Sequence, residues 1–542
     1  IRIFSPATLF LPQSFLLFSK SSEIEASLFC SLCAGGMQAR GPLARCDPAG
    51  PVRVLNQMWE SRRGPAKSDF LEAAARMPNL DPIIADAHRK RMHAAGMPEI
   101  AIRSFLRTLR FVREGGETMI HESSIDPVDA LPHADGLADF EGLGREAARH
   151  AVVIKLNGGL GTSMGLHGPK SLLPVRSGLT FLDLIARQVL WLRSRESVEL
   201  PLMLMNSFRT REPSLEALAQ YPELATSLPL DFLQHRVPRI NIEDGMPVEW
   251  PSAPELEWCP PGHGDLYAAL QSSGQLGRLR EQGIRYAFVS NADNLGGSLD
   301  LSILGWFAAR EIPFAMEVAE RTVADKKGGH LARRGSQFIL RESAQCPAED
   351  LLSFQDIERH HYFNTNNLWI DLDALAERID ASPDGIPLPV IQNMKTVEPD
   401  VDDGPRCLQL ETAMGAAIEC FEGAEAICVS RDRFAPVKTT NDLLGLWSDA
   451  FELTDDARLV AAHPELQQKL EIDLDPRFYR NVEQLQDRFP DGAPSLVKCS
   501  RLSIRGDHRF GAGVSALGDV QLVKESAGQI EISAGSVLEE RR

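Results

Sequence analysis

An apolar run, a glycine-rich loop and an amphipathic stretch follow one another from Val152 to Val189, and no other part of the chain constrains the fold as tightly. Val152–Leu156 reads as a strand covered on both faces, because its apolar residues are continuous rather than alternating. Thr180 and Asp183 resemble a capping box, and Leu182, Ile185, Ala186 and Val189 line one face of the helix it would start. Between them lies KLNGGLGTSMGLHGPK, from Lys155 to Lys170. Gly158, Gly159 and Gly161 let the backbone approach a ligand without obstruction, and their amides can converge on phosphate oxygens. A strand–glycine loop–helix unit belongs to α/β architectures, where ligands sit beyond the carboxyl ends of the strands. Two familiar loops are excluded by spacing. A Walker loop needs Gly-Lys-Ser, but Pro169 separates Gly168 from Lys170; in the dinucleotide fingerprint the third glycine follows the second by three, and Gly165 follows Gly161 by four. The second mismatch removes a nicotinamide oxidoreductase from consideration.

Further apolar runs at Leu202–Met205, Tyr286–Ser290, Phe314–Val318, Leu368–Ile370 and Ala426–Val429 alternate with helical stretches, which predicts an α/β fold with a mainly parallel sheet. At 542 residues the chain is too long for one core. Its expected divisions are a disordered or leader-like extension (1–62), a helical N-terminal lobe (63–145), a catalytic α/β domain (146–445), and a helical linker with a C-terminal β region (446–542). The extension has few acids and carries Arg40, Arg45 and Arg53. Helical spacing marks Phe70, Leu71, Ala74, Ala75 and Met77, and again Ile102, Phe105, Leu106, Leu109 and Phe111. In the C-terminal region, short β runs at Leu502–Ile504, Val520–Val523 and Ile530–Ile532 alternate with glycine turns, predicting a small β-solenoid or sandwich.

The net charge of −18, from 75 acidic and 57 basic residues, argues against a nucleic-acid binder, which needs a basic face. It leaves room for one nucleotide held by a few lysines. Leu9–Phe18 is too short and too interrupted to span a membrane. The nine cysteines offer one CxxC, Cys30 and Cys33, and no second pair for a structural zinc; they read as reduced thiols in a cytoplasmic protein.

KLNGGLGTSMGLHGPKS resembles the signature loop of eukaryotic-type UTP–glucose-1-phosphate uridylyltransferases. Further segments resemble that family in the same order: PLMLMNSFRT from Pro201, FLQHRVPRI from Phe232, PPGHGD from Pro260, SNADNLG from Ser290, KGG from Lys327, FNTNNLW from Phe363, LQLETAMGAAI from Leu408 and SRDRFAPVKT from Ser430. The resemblance runs from about Phe70 to Ala450. It departs from the family at Leu166-His167 and at Arg431-Asp432-Arg433, where a shorter basic pattern is usual.

The resemblance implies a nucleotidyltransferase-type, Rossmann-like mixed sheet with a helical N-terminal lobe and a small C-terminal β-helix domain. It implies that Leu156, Asn157, Gly158, Gly159, Gln234 and Gly262 hold the nucleotide, and Gln234 suits uracil because an amide offers both a donor and an acceptor. His263, Asn291, Gly329 and Asn366 fall to the sugar phosphate. Asn364 and Asn366 should share one side of an extended segment, and Glu411 serves the sugar or caps a helix. Asp293 is the expected Mg²⁺ ligand at the end of its strand. Lys170 and Lys438 are expected to converge on the triphosphate. The implied reaction joins UTP and glucose 1-phosphate into UDP-glucose and pyrophosphate, with room for a homo-oligomer built through the C-terminal domain. The alternatives are a related UDP-sugar or UDP-N-acetylhexosamine pyrophosphorylase and a catalytically silent UTP-binding regulator.

Overall fold

The central sheet is mixed rather than mainly parallel. In this computed structural model the described residues are 80–539, except 167, 323–324, 399–400, 402, 464–465, 467–469 and 525–527. The expectations for residues 1–62, for the helical spacing from Phe70 to Met77 and for Cys30 and Cys33 lie outside them.

All six strands expected from apolar runs are present, with bounds shifted by a few residues. The sheet is made of β1 (Ala151–Asn157), β2 (Leu202–Asn206), β3 (Asp231–Leu233), β4 (Tyr286–Asn291), β5 (Phe314–Glu320), β6 (His330–Arg334), β7 (Gln337–Arg341), β8 (Tyr362–Asp371) and, beyond a separate pair, β11 (Glu425–Cys428). Its order is β7-β6-β8-β4-β1-β2-β3, with β5 joining β8 to β11. β1, β2, β3 and β4 run parallel, as do β5 and β11. β8 is antiparallel to β4, β5 and β6, and β6 pairs antiparallel with β7. The separate pair, β9 (Val390–Thr396) and β10 (Arg406–Thr412), forms a small antiparallel sheet with Ile240–Asn241.

Every residue of β1 is buried, so both faces are covered. Val153 faces a core that takes in Leu182, Ile185, Ala186 and Val189 of α3 (Phe181–Glu196), together with α5 (Leu301–Ala309) and α7 (Thr440–Trp447). Val152, Ile154 and Leu156 face the opposite core, built on α4 (Leu266–Ser272) and α6 (Leu372–Asp380). α3 starts where the capping box places it: Thr180 and Asp183 exchange side-chain and backbone hydrogen bonds. The N-terminal helices α1 (Pro82–Ala94) and α2 (Glu99–Arg113) bury Met92, Ile102, Phe105, Leu106 and Leu109 against β9 and β10, while Phe111 stays exposed.

Beyond α7 the strands Glu471–Leu474, Ser495–Arg505, Ser515–Val523 and Val537–Glu539 pair in sequence order, all parallel. A second parallel ladder joins His508–Phe510 to Ile530–Ile532. Among the described residues no helix is long and apolar enough to cross a membrane.

Candidate active site

The parallel strands β1, β2, β3 and β4 deliver their carboxyl ends to one edge, and the residues expected at the site gather there. The glycine loop folds back on itself through a bridge between Leu160 and Pro169, and the Lys170 amide donates to the Gly159 carbonyl (3.2 Å). Leu156 lies in register with Asn291 across the β1–β4 pair. The Asn157 amide nitrogen donates to Asn206 Oδ1 and Ser214 Oγ, both at 2.8 Å, so this side chain braces the loop from below.

Gly158 sits against Gln234 so closely that a Cβ there would run into Oε1. Gln234 Nε2 donates to the Gly262 carbonyl (3.3 Å). Gly262 has φ of +83°, and a Cβ there would strike the backbone of Thr412 at the end of β10. Glu411 is therefore a strand residue beside this loop; it does not cap a helix. Asp265 fixes the loop from the other end, accepting from the His235 backbone amide (2.7 Å) while pairing with its ring (2.8 Å). His263 Nδ1 accepts from the Met414 amide (2.9 Å), which leaves Nε2 as the ring's N–H donor. Burial pulls the His263 pKa down to about 4, so the donor is neutral.

The hexose-side candidates lie further along the same edge. The Gly329 carbonyl accepts from the Asn364 amide (3.1 Å). Asn364 and Asn366 do lie together, but strict alternation is not the cause. Asn366 has φ of +59° beside a register shift in the β5–β8 ladder, and its amide donates to Asn364 Oδ1 (2.8 Å) while Asn364 Nδ2 donates to its Oδ1 (3.0 Å).

Lys170 and Asp293 form an ion pair, Nζ to Oδ2 at 2.6 Å, with both side chains mostly buried. The segment carrying Lys438 runs alongside: Asn294 bridges to Pro436, and the Val437 amide donates to the Asp293 carbonyl (3.4 Å). The loops holding Lys170, Asp293 and Lys438 thus converge from distant parts of the sequence. No cluster of three or more His, Cys, Asp or Glu residues among those described could hold a metal. A lone carboxylate suits Mg²⁺, which usually takes one or two from the protein and the rest from substrate phosphates and water.

A family model for UTP–glucose-1-phosphate uridylyltransferase matches residues 103–516. The chain belongs to that family. The UTP–glucose-1-phosphate uridylyltransferase of Hordeum vulgare is 41% identical over 399 residues, which is 72% of this chain and 80% of that protein. The Astragalus penduliflorus enzyme is 40% identical, over 76% and 85% of the two chains. Among solved structures, the UDP-glucose phosphorylase of Trypanosoma brucei superposes with a TM-score of 0.77 at 44% identity, covering 84% of this chain and 98% of that one. A Leishmania major UDP-glucose pyrophosphorylase mutant in complex with UDP-glucose gives 0.79 at 43% identity, covering 85% and 99%.

Within this family member, two residues that sequence reasoning missed stand close to the site. The Glu342 carboxylate closes against Gly329, where any Cβ would meet it. Burial raises its pKa, and the positive charge of Lys438 pulls the other way. Lys155 opens the signature loop but is fully buried beneath it, its ammonium bonded to Ser290 Oγ (2.6 Å) and the Gly297 carbonyl. Burial lowers its pKa to about 7, helped by nearby Arg433 and opposed by Glu317 and Asp293. The only available signal for Lys155 was a lysine inside an apolar strand; for Glu342, which ends an edge hairpin, there was none.

Proposed function

We propose that this chain makes UDP-glucose from UTP and glucose 1-phosphate. Membership of the family carries the reaction, and the convergence of the loops holding Lys170, Asp293 and Lys438 supports where on this chain it takes place. A phosphate oxygen of glucose 1-phosphate attacks the α-phosphorus of UTP. A new P–O bond forms there, the bond to the α–β bridging oxygen breaks, and pyrophosphate leaves with the electron pair. The attacking oxygen is already anionic near neutral pH, so no general base is needed, and catalysis rests on alignment and charge neutralisation.

Uracil lies at Gln234 and Gly262, over Leu156, Gly158 and Gly159. The sugar phosphate meets His263, Asn291, Asn366 and Gly329, with Glu342 available to hexose hydroxyls. Lys170 and Lys438 take the phosphates. Asp293 would hold Mg²⁺, which supplies positive charge against the phosphate oxygens. Lys170 pairs with Asp293 at 2.6 Å, so its charge stands beside the carboxylate that would hold the cation.

The chain order of parallel strands supports a Rossmann-like nucleotide half and a C-terminal β-helix. Val523 and Val537 are exposed on the last coils, which favours self-association there. The six described cysteines are all free thiols, in keeping with a cytoplasmic location.

The deciding experiment measures pyrophosphate release across nucleotide and sugar 1-phosphate pairs, with Mg²⁺ and with excess chelator. UTP with glucose 1-phosphate should lead, and only with the metal. Preference for an N-acetylhexosamine phosphate would reassign the sugar, and UTP binding without turnover would leave a silent regulator.

A further inference from the structure

The segment Arg431-Asp432-Arg433 sends its two arginines in different directions. Arg433 reaches into the sheet. Its Nε and Nη2 make a forked pair with Glu317 of β5 (2.8 and 2.7 Å), and Nη2 also donates to the Ser298 carbonyl (2.8 Å). Glu317 is fully buried and receives two more donors, Asn367 Nδ2 (2.9 Å) and Trp369 Nε1 (3.0 Å). The Arg433 carbonyl accepts from Asn294 Nδ2 (3.0 Å), and Asn294 Oδ1 accepts from the Ala435 amide (3.0 Å). Arg433 and its neighbours therefore tie this segment to the loop that carries Asp293.

Arg431 points the other way. Its Nη1 pairs with Asp325 Oδ2 (2.8 Å) and donates to the Glu320 carbonyl (2.9 Å), and its guanidinium lies over the Phe363 ring, 5.4 Å from the centroid. Asp325 accepts from the Thr322 amide (2.8 Å), and its carbonyl accepts from the Gly328 amide (2.8 Å). Asp325 therefore links Arg431 through its carboxylate to Thr322, and through its carbonyl to Gly328, next to Gly329. Lys438 follows on the far side of a short connection, its amide donating to Asp442 (2.8 Å).

We propose that Arg431 and Arg433 are positioning residues that clamp the Lys438 segment between the hexose-side loop and the metal-carboxylate loop. The idea rests on the role given above to Lys438. Neither arginine needs to touch substrate; each holds the backbone from which Lys438 reaches the phosphates. A fork of planar donors suits this, since it fixes direction as well as distance.

The test measures kcat and both KM values for Arg431→Gln, Asp325→Asn and their double variant, each with and without Lys438→Ala. Arg431→Gln and Asp325→Asn should each lower kcat about tenfold, since small misplacements of a reacting group are costly. KM for UTP should stay within about twofold, and the double variant should be no worse than either single one. With Lys438 replaced, Arg431→Gln should lower kcat no further, because nothing remains to be positioned. Independent, additive losses, a further loss on the Lys438→Ala background, or an unaltered kcat would each overturn the clamp. Arg433→Lys tests the inner arm and should show the same pattern. If it does not fold, Asn294→Ser replaces it, loosening the tie without stranding a charge; normal kcat in the folded variant removes that arm. Lys438→Ala by itself separates the two ideas. If its kcat is normal, the role of Lys438 fails and the clamp with it. A crippled Lys438→Ala beside normal Arg431→Gln and Asp325→Asn condemns the clamp alone.

Discussion

At the scale of single residues, the two lysines expected on the phosphates differ in their surroundings, Lys170 being paired with Asp293. Lys438 is exposed, and its field reaches the partly buried Glu342. On the reading proposed above, its ammonium serves charge that develops as pyrophosphate departs. Lys438→Ala should lower kcat by about 10²–10³, the range for loss of one preorganised charge stabiliser, with little change in KM. Steady-state kinetics with both substrates varied would show this, and a rise in KM at constant kcat would make Lys438 a binding residue instead. Asp293 makes a different prediction. Asp293→Asn removes the anionic oxygen that a hard cation prefers, so the Mg²⁺ concentration for half-maximal activity should rise by about tenfold or more. An unmoved Mg²⁺ titration would show that the cation is held by the phosphates alone. The meeting of the loops that carry Lys170 and Lys438 could be expected because each lysine ends a loop of recognisable pattern. The burial of Lys155 could not, because a lysine in the sequence does not say whether its ammonium will find Ser290 and Gly297 inside the protein.

At the scale of elements, the strands that show as continuous apolar runs are those with helices on both faces, such as β1 and β2. What could not be read was direction. β8 runs against β4 and β5 because of how the chain returns to the sheet, which is a long-range matter invisible in local pattern. Nor could its length be read: Asn364, Thr365 and Asn367 are polar, yet buried, since Glu317 and their neighbours satisfy them. The period-two argument for Asn364 and Asn366 reached the right juxtaposition by the wrong geometry, as a left-handed residue replaced simple alternation. The loop from Pro260 to Asp265 stood out in the sequence because Gly262 and Gly264 flank a histidine, but its anchor on Thr412 did not. Gly262→Ala combines a strained φ of +83° with a clash against backbone, which cannot rotate away. The loop should shift off β10, taking the Gln234 contact with it. KM for UTP should rise about tenfold while KM for glucose 1-phosphate changes less. Equal rises in both would mean that the loop serves the whole cleft rather than the base.

For the whole molecule, stability and pH are linked through histidines that the fold keeps neutral. His88 is buried in the N-terminal helices, with Nε2 against the Gly245 carbonyl (3.0 Å) and its ring tilted on Phe105. Burial lowers its pKa to about 4, outweighing the Gly245 hydrogen bond, which acts to raise it. His330 is also held well below the ordinary histidine range, by burial first and then by stacked His360 and nearby Arg321 and Arg341. The unfolded chain takes up these protons below its ordinary histidine pKa of about 6.5, whereas native His88 does so only near pH 4. Between those values the unfolded state binds more protons, so stability rises with pH and is lost as pH falls through the window. Urea unfolding followed by tryptophan fluorescence should show this as a midpoint that falls steeply from pH 6.5 to 4.5. His88→Gln keeps a donor for Gly245 but cannot titrate. It should remove nearly one proton from the slope, about 2–3 kcal/mol across those two pH units. At pH 7 the variant should be the less stable protein, through lost packing on Phe105, and on acidification the gap should narrow. A slope that the substitution leaves unchanged would mean that His88 accepts its proton inside the native fold, and that burial in the N-terminal helices does not hold it neutral.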